Sequence, residues 1–248
     1  MKNTGILFIV FFFMGHCSIS QSLEMNIQKF DIHDCSAIDT LTKEMDSLYA
    51  FESKCNHFYI EWPSISGESQ WVNARIEQQL KNHICGLIQN DQMDSVEYTN
   101  NLTEDFVLKH NRDASAEWDI TIEFLGTFHS IHQFAISHGG YYYGAAHGFG
   151  YSQYFHFNSI TASEVGLKIL FSENELEKLS QMAIQKITAQ EPEMWTDDLI
   201  GAFYLTENFM MQESGINFYY NAYDIGPYAM GYPELLLTWE EIQSCLSH

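Results

Sequence analysis

Eleven histidines and 33 aspartates and glutamates give this chain ample material for acid–base chemistry or for holding a metal ion. His129, His132, His138, His147 and His156 crowd into one stretch, but a shared ion needs their imidazoles on one side. Strand residues of unlike parity face opposite ways, so within one register only His132 and His138 can share a face. The helical His-Glu pattern and the paired-cysteine spacings that close a zinc site do not occur. No metal ligand and no cofactor is therefore expected. Gly-x-Ser-x-Gly, His-Glu-x-x-His and phosphate-loop patterns are missing too, and among so many acids carboxylate pairs arise by chance. No residue is assigned a catalytic role.

Tyrosine, glycine and histidine concentrate instead in two loops. One reads Tyr141-Tyr142-Tyr143-Gly144-Ala145-Ala146-His147-Gly148, followed by Tyr154-Phe155-His156-Phe157-Asn158. The other reads Tyr223-Asp224-Ile225-Gly226-Pro227-Tyr228-Ala229-Met230-Gly231. Tyrosine supplies rigid contact area at low entropic cost, as binding loops require. Gly144, Gly148, Gly226 and Gly231 are expected to permit tight backbone turns.

The elements that must position these loops can be read from periodicity. Val72, Ile76, Leu80, Ile84, Leu87 and Ile88 recur at spacings of three and four, predicting a helix over 70–89. Trp118, Ile120, Ile122 and Phe124 alternate with polar residues, as the buried face of an antiparallel strand does, and Phe134 and Ile136 resume the pattern after a turn at Gly126. Strands are also expected at 25–32, 55–62 and 165–169, the second ending at Pro63. Residues 91–114 read as helix or loop. Ser172 with Glu175 and Thr238 with Glu241 form capping boxes opening two helices, the first stopping near Pro192. Phe203 and Leu205 start an alternation that returns after Gly215 through Ile216, Phe218 and Tyr220 as a hairpin. Runs of strands with helices between them predict an α+β fold, an antiparallel sheet packed by helices in two closely associated lobes, 21–114 and 115–248.

Residues 1–20 carry Lys2, an apolar run over 6–14 and the small-residue ending Ser18-Ile19-Ser20, the layout of a secretory signal. The run is shorter than the ~20 residues a membrane helix needs. Export to the periplasm or the cell exterior is expected. A lipid anchor at Cys17 is the rival reading, disfavoured by the bulky His16 before it. In an oxidising compartment Cys35, Cys55, Cys85 and Cys245 permit two disulfides of undetermined pairing, although Cys85 also fits a buried thiol in the helical stripe. The formal net charge of −22 excludes nucleic acid, whose phosphates need clustered Lys or Arg, and favours a basic partner.

In order and content the two loops resemble the extracellular domain shared by RsiV-type lysozyme-sensing anti-sigma factors and PdaC-type peptidoglycan deacetylases. That family shows a Gly-Gly-Ala-His-Gly loop, an Asn-Phe-Asp strand and a Tyr-x-Ile-x-Pro-Tyr-Ala-x-Gly loop. Tyr59-Ile60-Glu61-Trp62-Pro63 and Val72-Asn73-Ala74-Arg75-Ile76 look like its upstream strand and helix, so the resemblance runs from about Cys55 to Leu246, a PdaC-like lobe and then an RsiV-like one. The sequence departs from the pattern where Ala replaces a second Gly before His147 and in the strand at 155–158. The resemblance implies a domain that holds lysozyme with protruding loops. No sigma-binding segment, membrane helix or deacetylase catalytic motif is recognised, so binding is the expected activity, with a lysozyme-type hydrolase or peptidoglycan as partner. Tyr141, Tyr142, Tyr143, His147, Tyr223, Pro227 and Tyr228 are the expected contacts. The alternatives are an enzyme processing cell-wall sugars and a structural envelope domain without a small ligand.

Overall fold

A computed structural model describes residues 23–34, 55–89, 96–111, 116–190 and 195–246. The expected signal segment, Cys17, Cys35 and Pro192 lie outside them. Strands β1 (Glu24–Asp34), β2 (Asn56–Ser66), β3 (Ala116–Phe128), β4 (Ile131–Tyr142) and β5 (Phe149–Asn158) form one sheet in chain order. Between β2 and β3 lie α1 (Gln70–Ile88) and α2 (Glu104–Asn111). Helices α3 (Leu167–Leu170), α4 (Glu173–Gln190) and α5 (Asp197–Ala202) follow β5. A second sheet of β6 (Phe209–Gln212), β7 (Gly215–Tyr219) and β8 (Glu234–Thr238) leads into α6 (Trp239–Leu246). The fold class is α+β. No described helix is long and apolar enough to cross a membrane.

Pairing is antiparallel except between β2 and β3, which run parallel over His57–Ile60 and Glu117–Ile120. A parallel pair needs a long crossover, and here α1 and α2 supply it. The ladder is short, and beyond it the Glu61 carboxylate accepts from the Ile122 amide at 3.0 Å. Pro63, expected to end β2, lies inside it. It sits past the stretch paired with β3, so its missing N–H costs no bond on that side. The turn expected at Gly126 is a bulge with φ 117°, and β3 continues to a reversal at His129 and Ser130. Residues 165–169 do not make a strand. Leu167–Leu170 form a short helix whose first amide is held by Glu207 (2.9 Å), and Phe203 and Leu205 lie in coil before β6.

Two cores result. The first joins the α1 stripe, Val72, Ile76, Leu80 and Ile84, to Phe58, Ile60, Trp118, Ile120, Phe134 and Phe157. Each large side chain here is nearly or fully enclosed, so truncating Leu80 to alanine would cost about 2–5 kcal/mol. The second joins Leu179, Ala183 and Ile187 of α4 to Phe209, Ile216, Phe218, Leu235 and Leu237. The first cluster ends in sequence at Ala162 and the second begins at Leu167, and β1 to β5 all belong to one sheet. Cys55 is disulfide-bonded to a partner outside the described residues, while Cys85 is a buried free thiol and Cys245 a half-buried one.

The joint between the cores is polar. On β4 and β5, Phe134, Phe155 and Phe157 face the first core, so Gln133 and His156 turn the other way, to β6. Gln133 donates to the Met211 carbonyl (2.9 Å) and accepts from the Met211 amide (2.8 Å), pairing as a neighbouring strand would. His156 Nε2 donates to the Phe209 carbonyl at 2.8 Å and stacks on the Phe209 ring. Asn221 returns the pattern on β5, accepting from the Ser152 amide (2.7 Å) and donating to its carbonyl (3.1 Å). Asn208 takes the Tyr154 amide, and the Val165 amide donates to the His156 carbonyl. Burying these polar groups is tolerable because each is paired.

Candidate functional site: an aromatic cleft where the two loops meet

The first wall is the turn from β4 to β5. Gly144 adopts φ 93°, and the Ala145 amide closes the turn on the Tyr142 carbonyl (2.9 Å). At Gly148, which closes this connection, a Cβ would stand 2.7 Å from the Gly140 carbonyl, so its lack of a side chain lets the strands approach. His147 Nδ1 donates to the Gly148 carbonyl at 2.7 Å, which restrains the ring.

The second wall is the loop between β7 and β8. The Asn221 amide donates to Asp224 Oδ2 (2.7 Å) and the Asp224 amide to the Asn221 carbonyl (3.0 Å), making a reciprocal turn. Tyr223 within it holds φ 75°, a left-handed conformation uncommon for a bulky residue and strained at roughly 1–3 kcal/mol. Ile225 anchors the loop in the second core. Pro227 caps a single 3-10 turn, Tyr228–Met230, and Gly231 leaves it at φ 67°. Gly226 lacks a left-handed φ, and instead makes room for the Met230 thioether.

The two walls close on each other through rings. His147 stacks on Tyr228 with centroids 4.8 Å apart, Tyr223 leans on Tyr228 at 5.6 Å, and Tyr232 Oη donates to the Gly150 carbonyl at 3.3 Å. Between them lies a cleft of about 490 Å³, lined also by Tyr151, Tyr204, Asn208 and Asn221. Behind it Tyr151 Oη is 3.0 Å from His138 Nδ1, a buried imidazole whose pKa burial lowers to about 4. Kept neutral, that ring holds the Tyr151 hydroxyl without adding charge to the wall. Burial, and secondarily Asp224, raises the Tyr204 phenol above its ordinary value.

Of the expected contacts, His147, Tyr223 and Tyr228 line this cleft, as does Gly148. Tyr141, Tyr142, Tyr143 and Pro227 are not among its lining residues. Tyr143 donates to the Cys55 carbonyl (2.8 Å) and Tyr141 to the Ala145 carbonyl (2.7 Å), while Tyr142 stacks on Phe149. Sequence reasoning missed Tyr151, Tyr204, Asn208 and Tyr232. Asn221 and Asp224 stand within or beside the second motif and were within reach of it, whereas Tyr204 and Asn208 sit in irregular chain with no periodic signal.

Fold and cleft together define an α+β protein of two sheets with a concave, tyrosine-rich site at the joint between them. Comparison with known families narrows this. Residues 168–240 match the family described as protein of unknown function DUF3298, a stretch that contains the whole second loop and none of the first. A DUF3298 member from Bacteroides fragilis NCTC 9343 has a solved structure similar to this one at a TM-score of 0.63 and 17% identity, over 90% of this chain and 93% of that one. A DUF3298 family protein from Pseudomonas aeruginosa PAO1 is similar at 0.63 and 12%, over 91% and 95%. At these identities the likeness is one of fold. No curated protein matches the chain in sequence.

Proposed function

We propose that this chain is an exported binding protein that recognises cell-wall glycan in the cleft between its two loops. The observation that carries the reading is the lining itself. Tyr151, Tyr204, Tyr223, Tyr228 and Tyr232 supply aromatic surface for the apolar side of a pyranose, and the Asn208 amide nitrogen stands beside them as a donor for hydroxyl or acetamido groups. Hydrolysis of a glycosidic bond needs two carboxyl groups flanking it, and Asp224 is the single carboxylate among the lining residues, with one oxygen already engaged by the Asn221 amide. The resemblance of the two loops to the RsiV and PdaC domains supports a cell-wall setting, and the DUF3298 match covers the second of those loops.

A lysozyme-type hydrolase is the second reading, favoured by the net charge of −22 and by Tyr223 and Tyr228, which remain 62% and 47% exposed on the rim. A basic enzyme would be steered toward such a surface, with an on-rate that falls as salt rises.

Isothermal titration with chitooligosaccharides, soluble peptidoglycan fragments and a basic lysozyme separates the two. The glycan reading expects saturable, largely salt-independent binding that Tyr228→Ala weakens about tenfold or more. Lysozyme binding that weakens steeply with salt, without glycan binding, replaces it with the second reading. Heat from neither ligand refutes both.

A further inference from the structure

A second cluster lies far from the cleft in strand order, on β1 and β2 at the opposite side of the first sheet from β5. Ile32 points into the core, so Asp31 and His33 on either side of it share the solvent face of β1. His57 stands directly across from His33 in the antiparallel register. The two imidazoles stack with centroids 4.3 Å apart and planes within 8°. Their Nε2 atoms converge on one carboxylate oxygen, His57 at 2.7 Å and His33 at 3.3 Å from Asp31 Oδ1. Among the described residues this is the group of three metal-ligating side chains whose donor atoms come together, all within 4.8 Å of one another.

We propose that Asp31, His33 and His57 form a surface site for one first-row transition ion of the zinc or copper class. Bonds of about 2.0–2.1 Å in a tetrahedral shell place neighbouring donors roughly 3.4 Å apart, within the range these atoms span. Two imidazoles select zinc, copper, nickel or cobalt over calcium and magnesium, which prefer all-oxygen shells. Three protein ligands leave at least one position open to water or to an exogenous donor, the layout that distinguishes catalytic and exchangeable sites from closed structural ones.

The scaffold supports it. All three donors stand on paired strands rather than loops, and Cys55, two residues before His57, is disulfide-bonded at the start of β2. Lys29, the neighbouring cation on this face, lies 3.6 Å from Glu61 and over the Tyr59 ring, so its charge is engaged. The acidity of the whole chain adds a field that attracts cations. The site escaped the sequence because His33 and His57 are separated by 24 positions and meet only through strand register.

Equilibrium dialysis of the untagged full chain against Zn²⁺, with bound metal counted by mass spectrometry, tests the assignment. One ion per chain is expected, with affinity reduced about tenfold or more in His33→Ala and in His57→Ala. Imidazole NMR of the unaltered chain, which needs no variant, should show two histidines shifting together over the first equivalent of Zn²⁺. Unchanged stoichiometry and affinity in the double variant, or an absence of paired imidazole shifts, overturns the site. Because none of these readouts involves glycan or lysozyme, the outcome is independent of the cleft.

Discussion

Acidification should strain the joint between the two cores through His156. Its ring is 3% exposed, lies 4.0 Å from the Phe209 ring and donates to the Phe209 carbonyl, and burial lowers its pKa to about 4 from an ordinary 6.5. The folded protein therefore refuses a proton that the unfolded chain accepts. Stability from this neutral ring is fully present above pH 6.5, falls as the unfolded chain titrates, and is lost as pH reaches about 4. Between pH 7 and pH 5 the unfolded state gains roughly 20-fold in weight from this residue, or about 2 kcal/mol. His138, equally depressed, adds a similar amount. Set against the 5–15 kcal/mol of a typical domain, the pair is a large fraction. Guanidinium unfolding at both pH values measures the loss, and His156→Gln, which can still donate to the Phe209 carbonyl, isolates it. Its intrinsic stability differs, but its fall from pH 7 to pH 5 should be about 2 kcal/mol shallower. A variant that loses stability as steeply as the parent chain refutes the reasoning.

Other outcomes follow from single contacts. Asn221→Ala removes both partners of the Ser152 backbone and should cost about 2 kcal/mol in a denaturation midpoint measured at constant slope. Gly215→Ala places a Cβ against the Leu237 carbonyl and 2.7 Å from Thr238 Cα in the β7–β8 pair, and should destabilise by more than about 3 kcal/mol, visible as loss of cooperative unfolding at moderate denaturant. Cys85 is fully buried and its thiol is pushed above its ordinary pKa by burial, so mass-mapped alkylation of the native chain should label Cys245 first and Cys85 only on unfolding.

What was legible in the sequence was local. The stripe of α1 is complete from Val72 to Ile88, and both capping boxes close as read: Ser172 and Glu175 exchange backbone amides at 2.8 and 3.4 Å, Thr238 and Glu241 at 2.8 and 3.2 Å. The alternation of Trp118, Ile120 and Ile122 marks β3 because one face meets the core. Leu167–Leu170 defeated the same reasoning, since four residues carry apolar content but no period, and Glu207, remote in sequence, fixes their first amide. The parallel meeting of β2 and β3 was hidden for a like reason: register between strands 60 positions apart leaves no mark on either one. In the cleft, the motifs revealed the loops that hold His147 and Tyr228. They could not show that these loops stack on each other, nor that Tyr204 and Asn208 complete the wall, because those facts belong to the docking of the two sheets.

That docking also bears on how the molecule meets others of its kind. An outer strand ordinarily offers its spare amides and carbonyls to any extended peptide, the route by which sheets fuse end to end into aggregates. On β5 those groups are already answered by Asn208, Asn221, Val165 and Tyr232 of the same chain, and on β6 by Gln133. The lobe that forms the cleft thus serves as a guard on the sheet it leans against. The other outer strands of the two sheets are β1 and β8.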